Sequence, residues 1–363
     1  MKWKKNHTKI SLSGADLEVM AQCNMSINEI LRREHPNSKI PPLWSVLSYI
    51  MLQHGCTTSS VWFHYRHLLK MAGNSSRWYY RRLIPKSNGG TRELYIPSFF
   101  MQRQQRFVFE QILTGLPVDS HACAYRKGIS IVDCAKPHLD KDVLIHLDLK
   151  NFFGSITEDM VYDTLLRETG YAPSLCRFLA QMCCLHGSLP QGTVTSPMLS
   201  NIVFRRCDEA LAQIADKHQL QYSRYSDDLY FSGSADTAVK TVLREVSGVL
   251  LSFGFKLNVD KTQVRRRQHR QTILGLTVND HLQVNRTYRR KLMQELYYLE
   301  RFGKNCKGAI EVGDYLKYMQ QLQGKLAYVL HIDPHNHQLW DAHLKLTIRM
   351  SRYAFLRERG FVT

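Results

Sequence analysis

The chain lacks the segments by which proteins enter or cross a membrane. Its 363 residues contain no apolar run of about 18 residues, and the basic start over residues 1–5 is not followed by an apolar signal core. Internal repeats and low-complexity tracts are also missing. With 44% hydrophobic and 22% charged residues, the composition predicts a globular protein of the cytoplasm without a membrane partner.

Paired cysteine motifs are absent too. The nine cysteines are odd in number and show none of the paired spacings of a zinc site or a disulfide framework. This usage suits a reducing compartment, in which the thiols stay free and mostly buried. The pattern therefore argues against a small secreted domain held together by disulfides.

Acidic residues are scarce relative to basic ones. The 31 Asp and Glu residues face 49 Lys and Arg residues, which gives a formal charge of +18 and a pI near 9.5. A solvated surface explains any one basic cluster, but a charge of this size repels itself unless a partner offsets it. The excess therefore predicts a polyanionic partner. The basic clusters are Arg81-Arg82, Arg265-Arg266-Arg267 with Arg270, and Arg286, Arg289, Arg290 and Lys291.

Strand and helix patterns are mixed along the chain without regular βαβ alternation, which predicts an α+β fold. An apolar segment over residues 43–52 follows Pro41 and Pro42, so residues 1–75 are predicted to be mostly helical. Other predicted elements are a hairpin over residues 80–84 and 91–96, turned by 87–90, helices over 99–113, from 196, over 239–253 and from 286, and strands over 143–149, 221–224, 229–232, 256–259 and 272–278.

Two adjacent carboxylates carry the strongest chemical signal. Asp227 and Asp228 follow Tyr225 and Ser226 on a predicted turn, and like charges are costly side by side unless a cation neutralises them. Most such pairs are solvated turns, so the pair needs support from elsewhere in the chain. Asp148 supplies it at the end of a predicted buried strand. If the two elements are neighbours in one sheet, three carboxylates converge as two divalent cations require for phosphoryl transfer.

Two further segments lie in order around these acids. Within residues 189–201, Gly192 permits close backbone approach, and Gln191 offers its amide groups to a nucleotide. Alone, this segment also fits a polar loop that caps a helix beginning near Ser196. Downstream, Lys261 is predicted to follow a strand, where it suits a general acid or a point charge beside a leaving pyrophosphate.

The ordered set resembles the palm of a reverse transcriptase. Residues 92–98 and 124–131 further resemble two fingers motifs of that family, and the match spans roughly residues 80–277. The palm motifs are the first catalytic motif at Asp148, Leu-Pro-Gln-Gly through Ser-Asn over 189–201, Tyr-Ser-Asp-Asp over 225–228, the lysine motif at Lys261 and the Leu-Gly primer-grip motif at Leu274 and Gly275.

Within that family, the chain is most similar to bacterial retron-type enzymes. The sequence Asp-Leu-Lys-Asn-Phe-Phe over residues 148–153 is typical of them, and residues 134–138 lie where they carry Asn-Ala-x-x-His. Two positions depart from the pattern: Cys134 replaces the Asn, and Leu274 replaces the Thr of Val-Thr-Gly. These departures bear on the retron assignment and leave the polymerase chemistry intact.

The resemblance implies a role for each matching residue. Asp148, Asp227 and Asp228 would bind two Mg²⁺ ions, with Mn²⁺ as a substitute, and the backbone carbonyl of Leu149 would complete a metal shell. Phe153 would be the steric gate that rejects a 2′-hydroxyl. The other implied roles are triphosphate binding by Arg92 and Arg126, the pocket floor formed by Gln191 and Gly192, the pyrophosphate-side lysine Lys261, and, from charge, duplex contact by Arg286, Arg289, Arg290 and Lys291.

The resemblance also implies a right-hand polymerase with an antiparallel palm sheet. Its expected parts are an N-terminal helical extension over residues 1–75, fingers over 76–142, the palm over 143–285 and a helical thumb over 286–363. The expected reaction is RNA-templated DNA synthesis from dNTPs in the bacterial cytoplasm. A structured noncoding RNA would serve as template and primer, through an RNA–DNA hybrid, to give single-stranded DNA linked to RNA.

Further partners and two alternatives follow from the same resemblance. A role in anti-phage defence implies a separate effector protein, and removal of the template would need a host ribonuclease H. The first alternative is a defence or group II intron-like reverse transcriptase without a retron RNA. The second is an RNA-binding scaffold whose polymerase activity is dispensable, against which the intact Asp148, Asp227 and Asp228 argue.

Overall fold

The structure is a computed structural model that describes residues 75–85, 89–171 and 173–359. The predicted helical extension therefore lies outside the described residues, except for Ser75. Residues 87 and 88 of the predicted hairpin turn lie outside them as well.

The chain folds into two units, and each unit combines two separate stretches of sequence. Of the described residues, the first unit contains those within 75–117 and 153–203, and the second contains those within 118–152 and 204–359. The predicted fingers, palm and thumb were contiguous segments, so their boundaries differ from those of the units, and that division stays a prediction.

The described residues form the following strands and α-helices, each numbered in chain order. The strands are β1 (Tyr79–Pro85), β2 (Thr91–Pro97), β3 (Val143–Asp148), β4 (Gln221–Tyr225), β5 (Asp228–Gly233), β6 (Gln263–Arg266), β7 (Thr272–Ile273), β8 (Leu276–Thr277) and β9 (Gln283–Val284). The α-helices are α1 (Phe99–Gln111), α2 (Ile131–Ala135), α3 (Phe152–Ser155), α4 (Glu158–Thr169), α5 (Pro173–Cys183), α6 (Ser196–Lys217), α7 (Val239–Ser252), α8 (Arg286–Phe302), α9 (Lys307–Val312), α10 (Tyr315–Ile332) and α11 (His337–Glu358).

The first unit contains an antiparallel hairpin and the helices α1, α4 and α5. Strand β1 pairs with β2 so that Tyr79 lies opposite Pro97, which confirms the predicted hairpin. The buried side chain of Gln105 on α1 ties these elements together, because its Nε2 donates to the Tyr79 hydroxyl at 2.7 Å and to the Met182 carbonyl at 3.0 Å. Helix α4 begins at the capping side chain of Thr157.

The second unit is built on a four-stranded sheet with the strand order β4-β5-β3-β6. Every pairing in it is antiparallel, as predicted for the palm. The apolar run of β3 buries five of its six residues, since β3 lies between two other strands. On α7, Val242, Val246 and Leu250 are buried at helical spacing, which confirms the predicted amphipathic helix.

Two strand predictions in the second unit are wrong. Residues 256–259 form no strand: Leu257 makes one isolated bridge to Leu149, and Val259–Lys261 forms a 3₁₀ helix. The predicted strand over residues 272–278 is two short strands, β7 and β8, because Leu274 and Gly275 turn the chain with φ values of 50° and 83°. The charged strand β6 was not predicted, since its four residues are all exposed and show no apolar alternation.

The last helices and a small sheet form one hydrophobic core in the second unit. Strands β7, β8 and β9 pair as a three-stranded sheet, and Ile273 and Leu276 of that sheet join the core. Helix α10 lies within the core, because its Met319, Leu322 and Leu326 are fully buried. The prediction that the chain from Arg286 onward is helical is confirmed.

None of the helices in the described part of the chain combines the length and the apolar character that a membrane span requires.

Candidate active site

Asp148 and Asp228 lie directly opposite each other on neighbouring strands. Asp148 ends β3, Asp228 begins β5, and the two are register partners in the antiparallel pair. Just beyond this pair, the backbone N–H of Leu149 donates to the carbonyl oxygen of Asp227 at 2.9 Å. The fold therefore brings the three aspartates to one end of the sheet.

The turn that carries Asp227 is tight and partly strained. Tyr225 pairs with Asp228, so only Ser226 and Asp227 form the turn between β4 and β5. Asp228 was predicted to lie in the turn, and it is instead the first residue of β5 because the ladder extends to it. Ser226 has a φ of 59°, a conformation that non-glycine residues adopt only at a cost.

Lys261 and Asn258 hold the carboxylate of Asp148. The Lys261 Nζ atom donates to Asp148 Oδ1 at 2.6 Å, and Asn258 Nδ2 donates to Asp148 Oδ2 at 3.1 Å. Asp148 is only 6% exposed, so both contacts form in a largely dehydrated position. The hydrogen bond to Asp148 raises the pKa of Lys261 above its usual value.

His146 holds the carboxylate of Asp228. Its Nε2 lies 2.7 Å from Asp228 Oδ1, and its ring stacks on Tyr230 with centroids 4.8 Å apart. The sequence analysis did not identify His146. The available signal was its position two residues before Asp148, which places both side chains on the same face of β3.

The electrostatic environment of Asp227 is unfavourable to its charged form. Burial raises the pKa of Asp227 above its usual value, and the nearby charges of Asp228 and Asp148 raise it further. A hydrogen bond from the backbone N–H of Asp227 and the positive charge of Lys261 oppose this shift. A site of this kind favours an additional positive charge next to Asp227.

The donor atoms of the site suit a hard divalent cation, but they are not arranged as a finished cage. Among the described residues, no group of three or more His, Cys, Asp or Glu side chains is ready to hold a metal ion. Two of the carboxylates are instead engaged by Lys261 and His146. Mg²⁺ needs few protein ligands when substrate phosphates supply the others, so Asp148, Asp227 and Asp228 fit it chemically.

Gln191, Gly192 and Arg92 belong to the first unit. The carbonyl of Gln191 accepts from the backbone N–H of Tyr95 on β2 at 2.8 Å. Gly192 has a φ of 111°, and a Cβ atom there would lie 3.1 Å from the Tyr95 carbonyl oxygen, so the position requires glycine. These contacts dock the loop onto the strand that carries the exposed Arg92.

Phe153 and Arg126 are placed in different surroundings. Phe153 is half-buried on α3, in the first unit. Arg126, in the second unit, donates through Nη1 to the carbonyls of Asp119, Ser120 and Ala122 at 3.0–3.3 Å. Its guanidinium therefore organises the loop beside β4, and triphosphate binding by Arg126 stays a prediction.

The basic residues predicted to contact a duplex lie at the start of α8. Arg286, Arg290 and Lys291 are exposed, and Arg289 is half-buried. The opposite face of the helix buries Leu292 and Leu299 in the core. Tyr288 is 38% exposed beside the cations, so the surface combines positive charge with an aromatic ring.

Comparison with known proteins confirms the resemblance to reverse transcriptases. A family model described as reverse transcriptase (RNA-dependent DNA polymerase) matches residues 84–278. The chain is 33% identical over 276 residues to the retron Mx65 reverse transcriptase of Myxococcus xanthus, which covers 71% of this chain and 62% of that relative. It is 30% identical over 270 residues to the retron Ec73 reverse transcriptase of Escherichia coli, which covers 69% of this chain and 82% of that relative.

The chain thus spans less than two thirds of the Mx65 relative. Among solved structures, it is similar to apo telomerase from Candida tropicalis, with 12% identity and a TM-score of 0.46 over 77% of this chain and 57% of the other. It is also similar to a foamy viral protease-reverse transcriptase in complex with double-stranded DNA, with 17% identity and a TM-score of 0.40 over 70% of this chain and 38% of the other.

Proposed function

Because the chain belongs to the reverse transcriptase family, in which its relatives are retron enzymes, we propose that it is an RNA-directed DNA polymerase of retron type. The observation that carries this proposal is the pairing of Asp148 with Asp228 across two strands, with Asp227 in the adjoining turn. Three carboxylates at one end of a sheet suit the binding of phosphates through divalent cations.

In the proposed reaction, the aspartates position the reacting groups. Asp148, Asp227 and Asp228, with the backbone carbonyl of Leu149, would hold two Mg²⁺ ions. When bound, these ions supply a nucleophile of lowered pKa and neutralise the charge on the leaving group. Asn258 and His146 hold the carboxylates of Asp148 and Asp228 in fixed orientations.

Other residues are proposed to select and bind the nucleotide. Phe153 would reject a 2′-hydroxyl, and Arg92 and Arg126 would bind the triphosphate. Gln191 and Gly192 would form the floor of the pocket, which is consistent with the close packing of that loop on β2.

Lys261 is proposed to act on the pyrophosphate side of the reaction. A lysine ammonium is protonated at neutral pH, so Lys261 can donate a proton or neutralise charge. To do so, its Nζ must leave Asp148 Oδ1, which the long and largely exposed side chain permits.

The proposed template and primer is a structured noncoding RNA, and the product is single-stranded DNA joined to that RNA. The net charge of +18 and the cationic start of α8 support a nucleic-acid partner. We further propose a role in anti-phage defence with a separate effector protein, and removal of the template by a host ribonuclease H.

One experiment tests the proposed function. The protein is purified with its bound nucleic acid, supplied with labelled dNTPs and Mg²⁺, and compared with the Asp227→Asn, Asp228→Asn double variant. We expect DNA covalently joined to one abundant RNA species in the wild type and none in the variant. Synthesis on any added template, without a bound RNA, would instead indicate a reverse transcriptase outside the retron type. Full phage protection by the inactive variant would indicate an RNA-binding scaffold.

A further inference from the structure

A fully buried ion pair lies behind the turn that carries Asp227. The side chains of Arg224 on β4 and Asp208 on α6 are both 0% exposed. Arg224 donates through Nε to Asp208 Oδ1 at 2.8 Å and through Nη2 to Oδ2 at 2.6 Å, while the hydroxyl of Tyr222 donates to Oδ1 at 2.7 Å. Removing two charges from water is costly, and the attraction between them often does no more than offset that cost. A contribution to stability is therefore not a sufficient explanation for this pair.

Arg224 uses its remaining nitrogen on the turn itself. Its Nη1 donates to the carbonyl oxygen of Ser226 at 3.1 Å. The guanidinium carbon lies 4.6 Å from the centre of the Phe204 ring, close enough for a cation–π contact. A planar guanidinium can serve both Asp208 oxygens and a third acceptor at once, whereas a lysine ammonium cannot match this geometry.

The position of the Ser226 carbonyl determines the orientation of the Asp227 backbone. It belongs to the same planar peptide unit as the nitrogen of Asp227, so holding the oxygen holds the nitrogen. The following peptide is held as well, because the Asp227 carbonyl accepts from the Leu149 N–H at 2.9 Å. With both flanking peptides fixed, the direction of the Asp227 Cα–Cβ bond is fixed too, despite the strained φ of 59° at Ser226.

The charge of Arg224 is secure in this position. Burial alone would lower its pKa, but the charge of Asp208 and the hydrogen bonds to it keep the pKa above its usual value. Asp208 therefore acts as the counter-ion that allows a cation to be buried behind the turn.

We propose that Arg224, held by Asp208, is a positioning residue that fixes the Ser226–Asp227 peptide and thereby aims the Asp227 carboxylate. This inference rests on the proposed polymerase function, because Asp227 is the residue being aimed. Asp208 on α6 would then affect catalysis indirectly, because it holds Arg224 and Arg224 holds the Ser226 carbonyl.

A purely structural ion pair and a positioning device respond differently to apolar replacement. Buried pairs can often be replaced by apolar side chains of similar volume with no loss of stability. In the Arg224→Met, Asp208→Leu double variant, a structural role predicts unchanged activity in the folded protein. The positioning role predicts that kcat falls about 10–100-fold while KM for the dNTP stays within about threefold.

Hydrogen exchange at the turn gives a readout that does not depend on activity. Mass spectrometry of a peptide covering residues 222–231 should show faster amide exchange in the double variant, since the turn has lost its anchor. The Arg224→Lys variant keeps a cation beside Asp208, but its single nitrogen cannot bind Asp208 and the Ser226 carbonyl together, so we expect the same two changes. If the double variant does not fold, kcat and amide exchange in the Arg224→Lys variant are sufficient to test the inference.

Glu245→Gln is the matched control. It removes the contacts of Glu245 with Lys217 Nζ at 2.8 Å and His218 Nε2 at 3.1 Å, at the C-terminal end of α6, without touching the turn. We expect wild-type kcat and exchange from it. Folded Arg224 variants with wild-type kcat and wild-type exchange would overturn the inference. A wild-type protein without polymerase activity would refute the proposed function, and the exchange comparison would still decide whether Arg224 anchors the turn.

Discussion

Asp148 and Asp228 are register partners in an antiparallel strand pair, although 228 − 148 = 80 positions separate them along the chain. Residues opposed in this way have Cβ atoms about 5 Å apart, close enough for two carboxylates to share cations. In this arrangement each carboxylate already has a nitrogen partner, Lys261 Nζ at 2.6 Å and His146 Nε2 at 2.7 Å. We expect binding of the proposed cations to rearrange the Lys261 contact.

Added Mg²⁺ should stabilise the folded protein through the aspartates. At a concentration about tenfold above its Kd, a ligand of the native state contributes about 1.4 kcal/mol, which raises Tm by about 2 °C in a chain of this length. We expect this shift by differential scanning fluorimetry in the wild type and its loss in Asp148→Asn. The control Asp236→Asn removes an exposed carboxylate outside the site and should retain the shift. An unaltered shift in Asp148→Asn would remove that residue from the metal ligands.

Replacement of Lys261 should lower kcat and, separately, strengthen the binding of Mg²⁺. In Lys261→Met, kcat should fall about 10²-fold because a proton donor or point charge is lost. The Mg²⁺ concentration that gives half the thermal shift should decrease, because Nζ no longer competes for Asp148 Oδ1. Lys240→Met, at an exposed position on α7, is the control. Wild-type kcat in Lys261→Met would exclude a part for the lysine in the reaction.

The buried His138 should make the fold sensitive to acid. Its ring bridges Ser232 and Ser223 at 2.7 and 2.8 Å, and burial, with a smaller effect of Lys141, lowers its pKa to about 3. The unfolded state binds a proton near pH 6.5, and the folded state does not. Stability contributed by this group is therefore complete above that pH and is lost as the pH falls, by about 1.4 kcal/mol per pH unit.

The measurement for His138 is the free energy of unfolding between pH 4 and pH 7 from urea titrations. The free energy of unfolding should fall less steeply with decreasing pH in His138→Gln. The difference corresponds to the uptake of about one proton on unfolding, because glutamine does not titrate. His335→Gln, at an exposed position, should leave the slope unchanged. Equal slopes in the His138→Gln variant and the wild type would contradict the assignment of a neutral buried ring.

Phe153 should control the choice of sugar. Truncation in Phe153→Ala opens the space where a 2′-hydroxyl would lie, so incorporation of ribonucleotides relative to deoxynucleotides should rise by about 10–10²-fold. Primer extension with each nucleotide class measures this ratio. Phe99→Ala, which alters a ring that is 77% exposed, is the control. A ratio that does not change in Phe153→Ala would exclude the steric gate.

The cations at the start of α8 should contribute salt-dependent affinity. Replacement of Arg286, Arg289, Arg290 and Lys291 by Gln should make the plot of log affinity against log salt concentration shallower. The magnitude of this slope should decrease by about 0.7–0.9 for each phosphate contact that is lost. Filter binding of an RNA–DNA hybrid across salt concentrations measures it. Lys307→Gln, at an 87% exposed side chain paired with Glu311, should leave the slope unchanged. An unchanged slope in the fourfold variant would place the duplex elsewhere.

Long apolar patterns made much of the fold predictable. The strand over residues 143–149, the helix from Ser196 and the helix over residues 239–253 appear within one or two residues of their predicted bounds. The short elements were not predictable in the same way. Strand β6 has no apolar alternation, and its extended form depends on pairing with the far side of β3. Likewise, Leu274 and Gly275 divide an apparently continuous strand by adopting positive φ values.

The sequence by itself determined which residue types this chemistry uses and the order in which they occur. The order of the motifs led to the prediction that Asp148, Asp227, Asp228 and Lys261 are the site residues. It also determined the apolar periodicity from which most helices and the central strand form.

Only the tertiary structure decided what each of these side chains touches. The register between β3 and β5 places His146 beside Asp228, far away in the chain. Asn258 and Asp208 lie outside the sheet and reach Asp148 and Arg224 only through the packing of the folded chain. The physical reason is that a hydrogen bond needs its partners within about 3 Å. Residues distant in the chain reach that distance only after the chain has folded.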